Sequence, residues 1–577
     1  MENRPPPPED ADATPLPWLR RLARYAQPNQ LYFVLAIVIG IVAGLAVVLF
    51  RWTIDELDLR LLTATPSRLR IVLAPTLTGV VIGVLAVRVF PRARGSGVNQ
   101  TKAALYIYDG FIALRTVVGK FITSALAIGS GQSLGPEDPS LQVGAGLASF
   151  IGRHLKLSRA RQRLLAPLGA AAGLAAAFNA PIAAVLFVIE EVIGRWSSGV
   201  IGAVVLAAVS STVVARWFFG DHPLFTSPPF ELRHTSELLA YAALGVAGGV
   251  GSLFFVKLVA WLRPRLLALS RTQQCFLPAG AGLVVGVIGI WYPQIMGAGY
   301  GAINHAMAGN FLLRTVLLLA LLKIVATAVS FTSGAPGGMF APTLFIGAML
   351  GASVNGIERL LLPHYAASVG VYALVGMGTA FAAILRCPMT SVFMVVEVSG
   401  SYDIVLPLLI SNTIAYFISR TWQPVPIFDL LTQQDGLTLP SMEERREEQV
   451  LHVEDAMRPS APGVVVVGEG AIIEEARGIA AASEAKLLLV KGENGTWYGV
   501  TPERLEKLAE SHPASTALPS LLLQERPLQP LYPDQPLEAF LRQAGDEPLL
   551  PVIHRAHGGL LGVLALTDAL AAYRRAT

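Results

Sequence analysis

PSLQVGA at 139–145 lies over PTLFIGA at 342–348 at an offset of 203 residues, and PIAAVLFVIEE at 181–191 lies over PMTSVFMVVEV at 388–398 at an offset of 207. In both matches proline falls on proline, and in the second Glu190 falls on Glu397. Two matches in the same order at nearly one offset imply an internal duplication. Its halves run at about 30–215 and 235–430.

The duplicated region is strongly apolar. The chain has 577 residues, 53% of them hydrophobic and 15% charged, against about 25% charged in ordinary soluble domains. FVLAIVIGIVAGLAVVLF (33–50) is long enough to cross a bilayer and carries no charge. Comparable stretches lie near 70–90, 111–130, 198–215, 236–256, 277–292, 311–322, 339–357, 367–384 and 404–418. A soluble helical protein has no use for so many, so 25–430 reads as a polytopic all-α membrane domain. The opening segment 1–24 is acidic and proline-rich and lacks the pattern of a cleaved signal peptide.

Basic clusters such as RRLARY (20–25), PRARGSG (91–97) and WLRPRLLALSR (261–271) flank the apolar stretches. The net charge of +4 therefore suits juxtamembrane anchoring, with no nucleic-acid partner. By this rule the basic segments lie in the cytoplasm; the expected location is a cell membrane, a bacterial inner membrane, crossed many times, with the N-terminus and the C-terminal tail cytoplasmic. Two cysteines and scattered histidines offer neither a disulfide framework nor a metal site. An intramembrane aspartyl protease would need GxGD, which is missing, and a serine protease would need a histidine within the apolar spans. An enzyme is not expected.

Composition changes after 430. A linker at 431–450 leads to a charged tail at 451–577. Strand candidates GVVVV, KLLLV and LLPVIH alternate there with helix candidates AIIEEARGIAAAS and PLEAFLRQAG. The tail reads as an α/β domain of two similar halves, starting near 453–460 and 528–535.

Three interruptions break the apolar runs: RGSGVN (94–99), GPEDPS (135–140) and TSGAPGGMFAP (332–342). A helix start leaves amide N–H groups unpaired, and with the helix dipole these attract an anion. Broken helices in duplicated halves are how many transporters build an ion site at the membrane midplane. Three such starts meeting at one point would make an anion site without a formal positive charge. The second interruption carries Glu137 and Asp138, whose burial is costly unless each is paired.

With GSG at 95–97, GPEDP at 135–139, FNAPIAAVLFVIEE at 178–191 and GMFAP at 338–342, the chain resembles the CLC family of chloride channels and proton-coupled chloride transporters. The tail resembles a pair of CBS-type domains. The resemblance implies a homodimer with a pore in each subunit, each built from an inverted repeat of broken and tilted helices. It implies chloride and protons as the transported ions and no cofactor. Ser96 would contact the anion through its hydroxyl, Met339 and Phe340 through backbone amides, and Phe428 would take the place of the family's central tyrosine. Glu137 would be the gating glutamate. Glu191 would be the internal proton-transfer acid, an acid that plain channels of the family commonly lack, so chloride/proton exchange is the expected function and a passive voltage- or pH-modulated chloride channel its rival. Glu190, matched by Glu397, reads as architectural. In the tail, Thr567 and Asp568 fall on the family's contacts to a nucleotide ribose, so adenine nucleotide is a possible ligand, whereas the first half has Thr501 with Glu503 and no aspartate.

The chain departs from the family pattern at several positions. Asp138 stands where glycine is usual, Pro136 where a basic residue is common, and Phe428 lacks the hydroxyl of tyrosine. The GSG loop continues as VNQ, without the usual proline. Two readings of Asp138 stand open: it faces extracellular water, or it acts on Glu137 by like-charge repulsion.

Overall fold

Residue-level description in the computed structural model covers 28–437, 439 and 451–576, apart from 64–66, 156, 158, 195–197, 222, 226–236, 363–367, 460–462, 493–494, 524, 526, 545–548 and 556–557. The segment 1–24 and most of the linker 431–450 lie outside the described residues. The chain forms two compact units, Met1–Arg446 and Glu447–Thr577.

The larger unit is all-α, and its helices run twice through one order. The first half holds α1 (Pro28–Asp58), α2 (Arg68–Val84), α3 (Gly97–Tyr106), α4 (Leu114–Gly129), α5 (Glu137–His154), α6 (Arg159–Phe178), α7 (Pro181–Phe187) and α8 (Ser198–Phe219). The second holds α9 (Glu237–Leu267), α10 (Leu277–Gly289), α11 (Tyr300–Met307), α12 (Leu313–Thr332), α13 (Phe340–Leu361), α14 (Val369–Leu385), α15 (Pro388–Ser399) and α16 (Val405–Trp422), followed by α17 (Ile427–Gln434). Each of the ten apolar stretches of the sequence coincides for most of its described residues with a helix. Among the described residues, seven helices are long and apolar enough to span a membrane.

The change of offset from 203 to 207 has a simple origin. Helix α13 has 22 residues where α5 has 18. The four extra residues are close to one helical turn, so the faces presented to neighbours are kept.

Reciprocal contacts relate the halves. Glu190 accepts hydrogen bonds from the backbone N–H groups of Met389 (3.3 Å) and Thr390 (2.9 Å) at the start of α15. Glu397 accepts from those of Ile182 (3.0 Å) and Ala183 (2.7 Å) at the start of α7. Each acid thus caps the other half's helix, which is the pattern an approximate two-fold relation produces. Both acids satisfy amides that helix starts leave unpaired, so the architectural reading of Glu190 holds. Within each half the central pair packs backbone to backbone. A Cβ at Gly144 would lie 2.1 Å from the carbonyl of Gly169, and one at Gly347 2.1 Å from that of Gly376. Small residues permit such approach where no hydrophobic effect drives helices together.

The smaller unit is α/β. Strands β1 (Val464–Val467), β2 (Leu487–Lys491) and β3 (Trp497–Val500) form one sheet, β1 parallel and β3 antiparallel to β2. Strands β4 (Leu549–Ile553) and β5 (Leu560–Ala565) pair antiparallel in a second, and Leu531 bridges β4 in parallel, as β1 does β2. The two halves interleave: Arg458 bridges to Val563, and Leu528 to Trp497. The segment from 453 therefore packs into the second core, with Leu531, Phe540 and Val552.

Candidate functional site

The three interruptions predicted from glycine and proline do become helix starts, and two of them are joined directly. Gly135 and Gly338 exchange backbone hydrogen bonds, N–H to O, at 2.8 Å in each direction. This short antiparallel link holds the start of α5 against the start of α13. Met339 and Phe340 are fully buried there. The third start is that of α3. Gly95 takes a left-handed φ of +78°, and Ser96 caps the helix, its Oγ accepting from Val98 N at 3.2 Å.

Glu137 and Asp138 sit in the first turn of α5, both buried. Tyr300, opening α11, donates its hydroxyl to Glu137 Oε1. Glu137 Oε2 lies beside Gly135 and Ala341, since a Cβ on Gly135 would be 2.3 Å from that oxygen and 3.1 Å from the amide nitrogen of Ala341. Asp138 points the other way. Its Oδ1 accepts from Val98 N at 2.9 Å and from Ser96 Oγ at 3.4 Å. The reading of Asp138 as a water-facing residue is thus corrected: the close approach of α3 and α5 encloses it at 1% exposure.

The site also has formal positive charge nearby, which corrects the expectation of a purely neutral one. Lys120 on α4 is fully buried, and its Nζ donates to the carbonyl of Gly95 at 2.7 Å. Lys323 on α12, at the same offset of 203, is fully buried too and donates to the carbonyls of Ile295 (2.9 Å) and Gly297 (2.8 Å). The lysines stiffen the two glycine loops from behind, and they interact electrostatically with Asp138 and Glu137 respectively.

Phe428 lies in the first turn of α17 and is fully buried. Its ring is 6.3 Å from those of both Phe187 and Phe340, which are 5.0 Å apart. Its carbonyl accepts from Asn99 Nδ2 of α3 at 2.9 Å. The structure therefore gathers Phe340 and Phe428 into one aromatic cluster, while Ser96 meets Asp138 on the start of α3.

Glu191 follows α7 in a π-helical turn, Val188–Ile193. Its Oε1 accepts from Lys102 Nζ at 2.9 Å, and the same ammonium reaches Asp429 Oδ1 at 2.9 Å. The Cys387 thiol lies 3.8 Å from the other oxygen of Glu191, Oε2. Ser96 and Lys102 are six residues apart along α3, about 9 Å of helix rise.

Lys102, Asp429, Tyr300, Lys120 and Lys323 were not singled out in the sequence. A signal existed for the last two, which stand at the same offset of 203 as PSLQVGA and PTLFIGA. In the tail, Thr567 and Asp568 begin the helix Leu566–Ala576 directly after β5, and Asp568 is ion-paired with Arg458. Thr501 caps the helix Pro502–Ser511 directly after β3.

Residues 78–420 match the family model described as voltage gated chloride channel. A putative chloride channel protein, ClcB-like, from Ralstonia nicotianae is 34% identical over 394 residues, covering 66% of this chain and 91% of that protein. An H(+)/Cl(-) exchange transporter, ClcA, from Vibrio campbellii is 34% identical over 351 residues, covering 60% and 75%. The crystal structure of a slow cyanobacterial Cl-/H+ antiporter superposes with a TM-score of 0.65 at 25% identity, over 74% of this chain and 99% of that one. A eukaryotic CLC transporter gives 0.60 at 21% identity, over 93% and 97%, a likeness of fold.

Proposed function

The chain belongs to the voltage gated chloride channel family, a family of ion-transport proteins and not of enzymes, and on that premise we propose that it exchanges chloride for protons across a membrane, gated by Glu137. The observation that carries this reading is the placing of one buried carboxylate, Glu137, at the joined starts of α5 and α13, and a second, Glu191, on Lys102 of α3. The aromatic cluster of Phe187, Phe340 and Phe428 draws on both regions: Phe340 starts α13, and Phe187 lies four residues before Glu191. Amides at the starts of α3 and α13, with the Ser96 hydroxyl, are the groups that chloride would use. Glu137 competes as a tethered anion when ionised and withdraws when protonated. Glu191 takes the proton on the inner side. A glutamate side chain cannot span the gap, so water or the anion row bridges it. Exchange relatives among the bacterial proteins support the same reading.

One observation favours the rival, a passive chloride channel. Lys102 engages Glu191 and Asp429 at once, and a proton reaching Glu191 has to displace that ion pair. Proteoliposomes under opposed chloride and pH gradients decide between them. Exchange predicts that a chloride gradient drives protons the opposite way. A reversal potential that follows chloride alone and ignores pH makes the protein a channel.

We further assign 25–430 as the transport domain, 431–450 as a linker and 451–577 as a CBS-type pair, in a homodimer of the bacterial inner membrane with the N-terminus and tail cytoplasmic. Thr567 and Asp568, at a strand-to-helix junction, are the candidate ribose contacts. Calorimetry of the whole protein with ATP, ADP and AMP tests this, and no heat at millimolar nucleotide ends it.

A further inference from the structure

Asp138 has no counterpart in the second half, where Ala341 stands at the offset of 203, so the doubled scaffold does not need an acid there. It belongs to α5, yet its carboxylate reaches the start of α3 across 40 residues of sequence. There Oδ1 takes the amide of Val98, which Ser96 already caps, and the Ser96 hydroxyl itself. These are the donors that the transport reading gives to chloride. The side chain fits because residue 97 is glycine, whose added Cβ would fall 2.8 Å from Asp138 Oδ1.

A second observation separates Asp138 from an ordinary structural aspartate. Its other oxygen, Oδ2, is buried and has no hydrogen-bond partner among the described residues. Buried carboxylates that serve a fold are normally satisfied at both oxygens. Asp138 is held on the α3 side alone, by the amides of Gly97 and Val98 and the Ser96 hydroxyl, so an anion arriving there would take over the donors it uses. The charges around it are few: Lys120 from α4, tied to Gly95; Glu137 from its own helix, turned to Tyr300; and Lys323 behind Glu137. With Asp138 ionised and in place, a chloride at the same amide would set two negative charges side by side.

We propose that Asp138 is a second tethered carboxylate, which occupies the anion seat at the start of α3 and competes there with chloride. The proposal rests on the reading of Ser96 and the α3 amides as that seat. The chain then carries two resident anions on adjacent residues, aimed at different helix starts: Glu137 at α13 and Asp138 at α3. Chloride enters the α3 seat only in the fraction of molecules whose Asp138 has moved away. The apparent dissociation constant is the intrinsic one divided by that fraction.

The test is chloride calorimetry on the purified full-length protein, comparing wild type with Asp138→Asn and Asp138→Gly. Asparagine keeps the shape and an acceptor oxygen but not the charge, and glycine empties the seat. Both should bind chloride at least tenfold more tightly than wild type, glycine the more so. Bromide soaked into crystals of Asp138→Gly should give anomalous density beside Val98 N, which separates the seat from a long-range effect of charge. Affinities of both variants within twofold of wild type, or bromide density away from Val98 N, would overturn the proposal. Chloride flux in vesicles of the same wild-type preparation is read alongside. Vesicles that carry no chloride sink the transport reading, and the binding ratio still decides the seat.

Discussion

The two halves of the membrane unit share their frame and differ in their acids. Lys120 and Lys323, Gly135 and Gly338, Pro181 and Pro388, and Glu190 and Glu397 recur at offsets of 203 to 207. Glu137, Asp138 and Glu191 do not: Phe340, Ala341 and Val398 stand in their places. The recurring residues hold loop carbonyls, link helix starts or cap helices. The unmatched acids lie where ions would pass. A doubled scaffold thus acts as an internal control, separating side chains that build from side chains that act.

The largest effect expected from this contrast is at Glu137. Glu137→Gln cannot titrate or compete as an anion, so proton uptake driven by a chloride gradient should fall to background while chloride flux persists. Vesicles of the variant that still acidify against a gradient would remove Glu137 from the coupling role. Glu191→Gln comes next: proton movement should drop at least tenfold, again with chloride flux retained. A reversal potential as sensitive to pH as that of the wild type would place the inner proton acceptor elsewhere.

Smaller effects are expected from the matched acids. Glu190→Gln and Glu397→Gln should weaken charge-assisted bonds to a helix start, three at Glu190 with the Thr390 hydroxyl counted and two at Glu397, at about 1.5–3 kcal/mol per bond at most. Thermal unfolding in detergent should fall by similar amounts in the two variants, with the chloride-to-proton ratio unchanged. If either instead uncoupled transport at an unchanged melting temperature, doubling would no longer mark architecture. The smallest change is Phe428→Tyr. A neutral hydrogen bond adds about 0.5–1.5 kcal/mol, so chloride affinity measured by calorimetry should tighten roughly two- to tenfold. No change would mean that this ring does not face the anion.

Much of the frame was legible because proline and glycine leave marks that apolar residues do not. The paired prolines revealed the duplication, and the glycine-rich interruptions marked three helix starts. Hydropathy found most of the long helices, the enclosed α13 and α14 among them, but passed over α5 and α6. Both are enclosed by protein, and α5 carries polar residues such as Glu137, Asp138, Ser140 and Gln142 that face other helices and not lipid. Glu137 and Glu191 were read through the family motif. Their partners could not be, because they are remote in sequence: Lys102 and Asp429 are 327 residues apart, and Tyr300 is 163 from Glu137. Side-chain direction was equally hidden. Adjacent acids on a helix point about 100° apart, which sends Glu137 and Asp138 to different neighbours, a divergence that a linear reading cannot resolve.

The mutual hydrogen bonds of Gly135 and Gly338 have a mechanical consequence. They splice two chain breaks into one joint, so α5 and α13 start from a shared pivot instead of two loose ends. A splice of two bonds resists sliding of one helix start past the other, since a shift by one residue would strand both pairs of buried backbone groups. On the proposed reading, opening and closing would then fall to side-chain torsions, χ rotations of Glu137 and Asp138 against a fixed backbone. The moving parts of such a pathway would be a few carboxylate atoms of small stroke, with the surrounding helices serving as the housing.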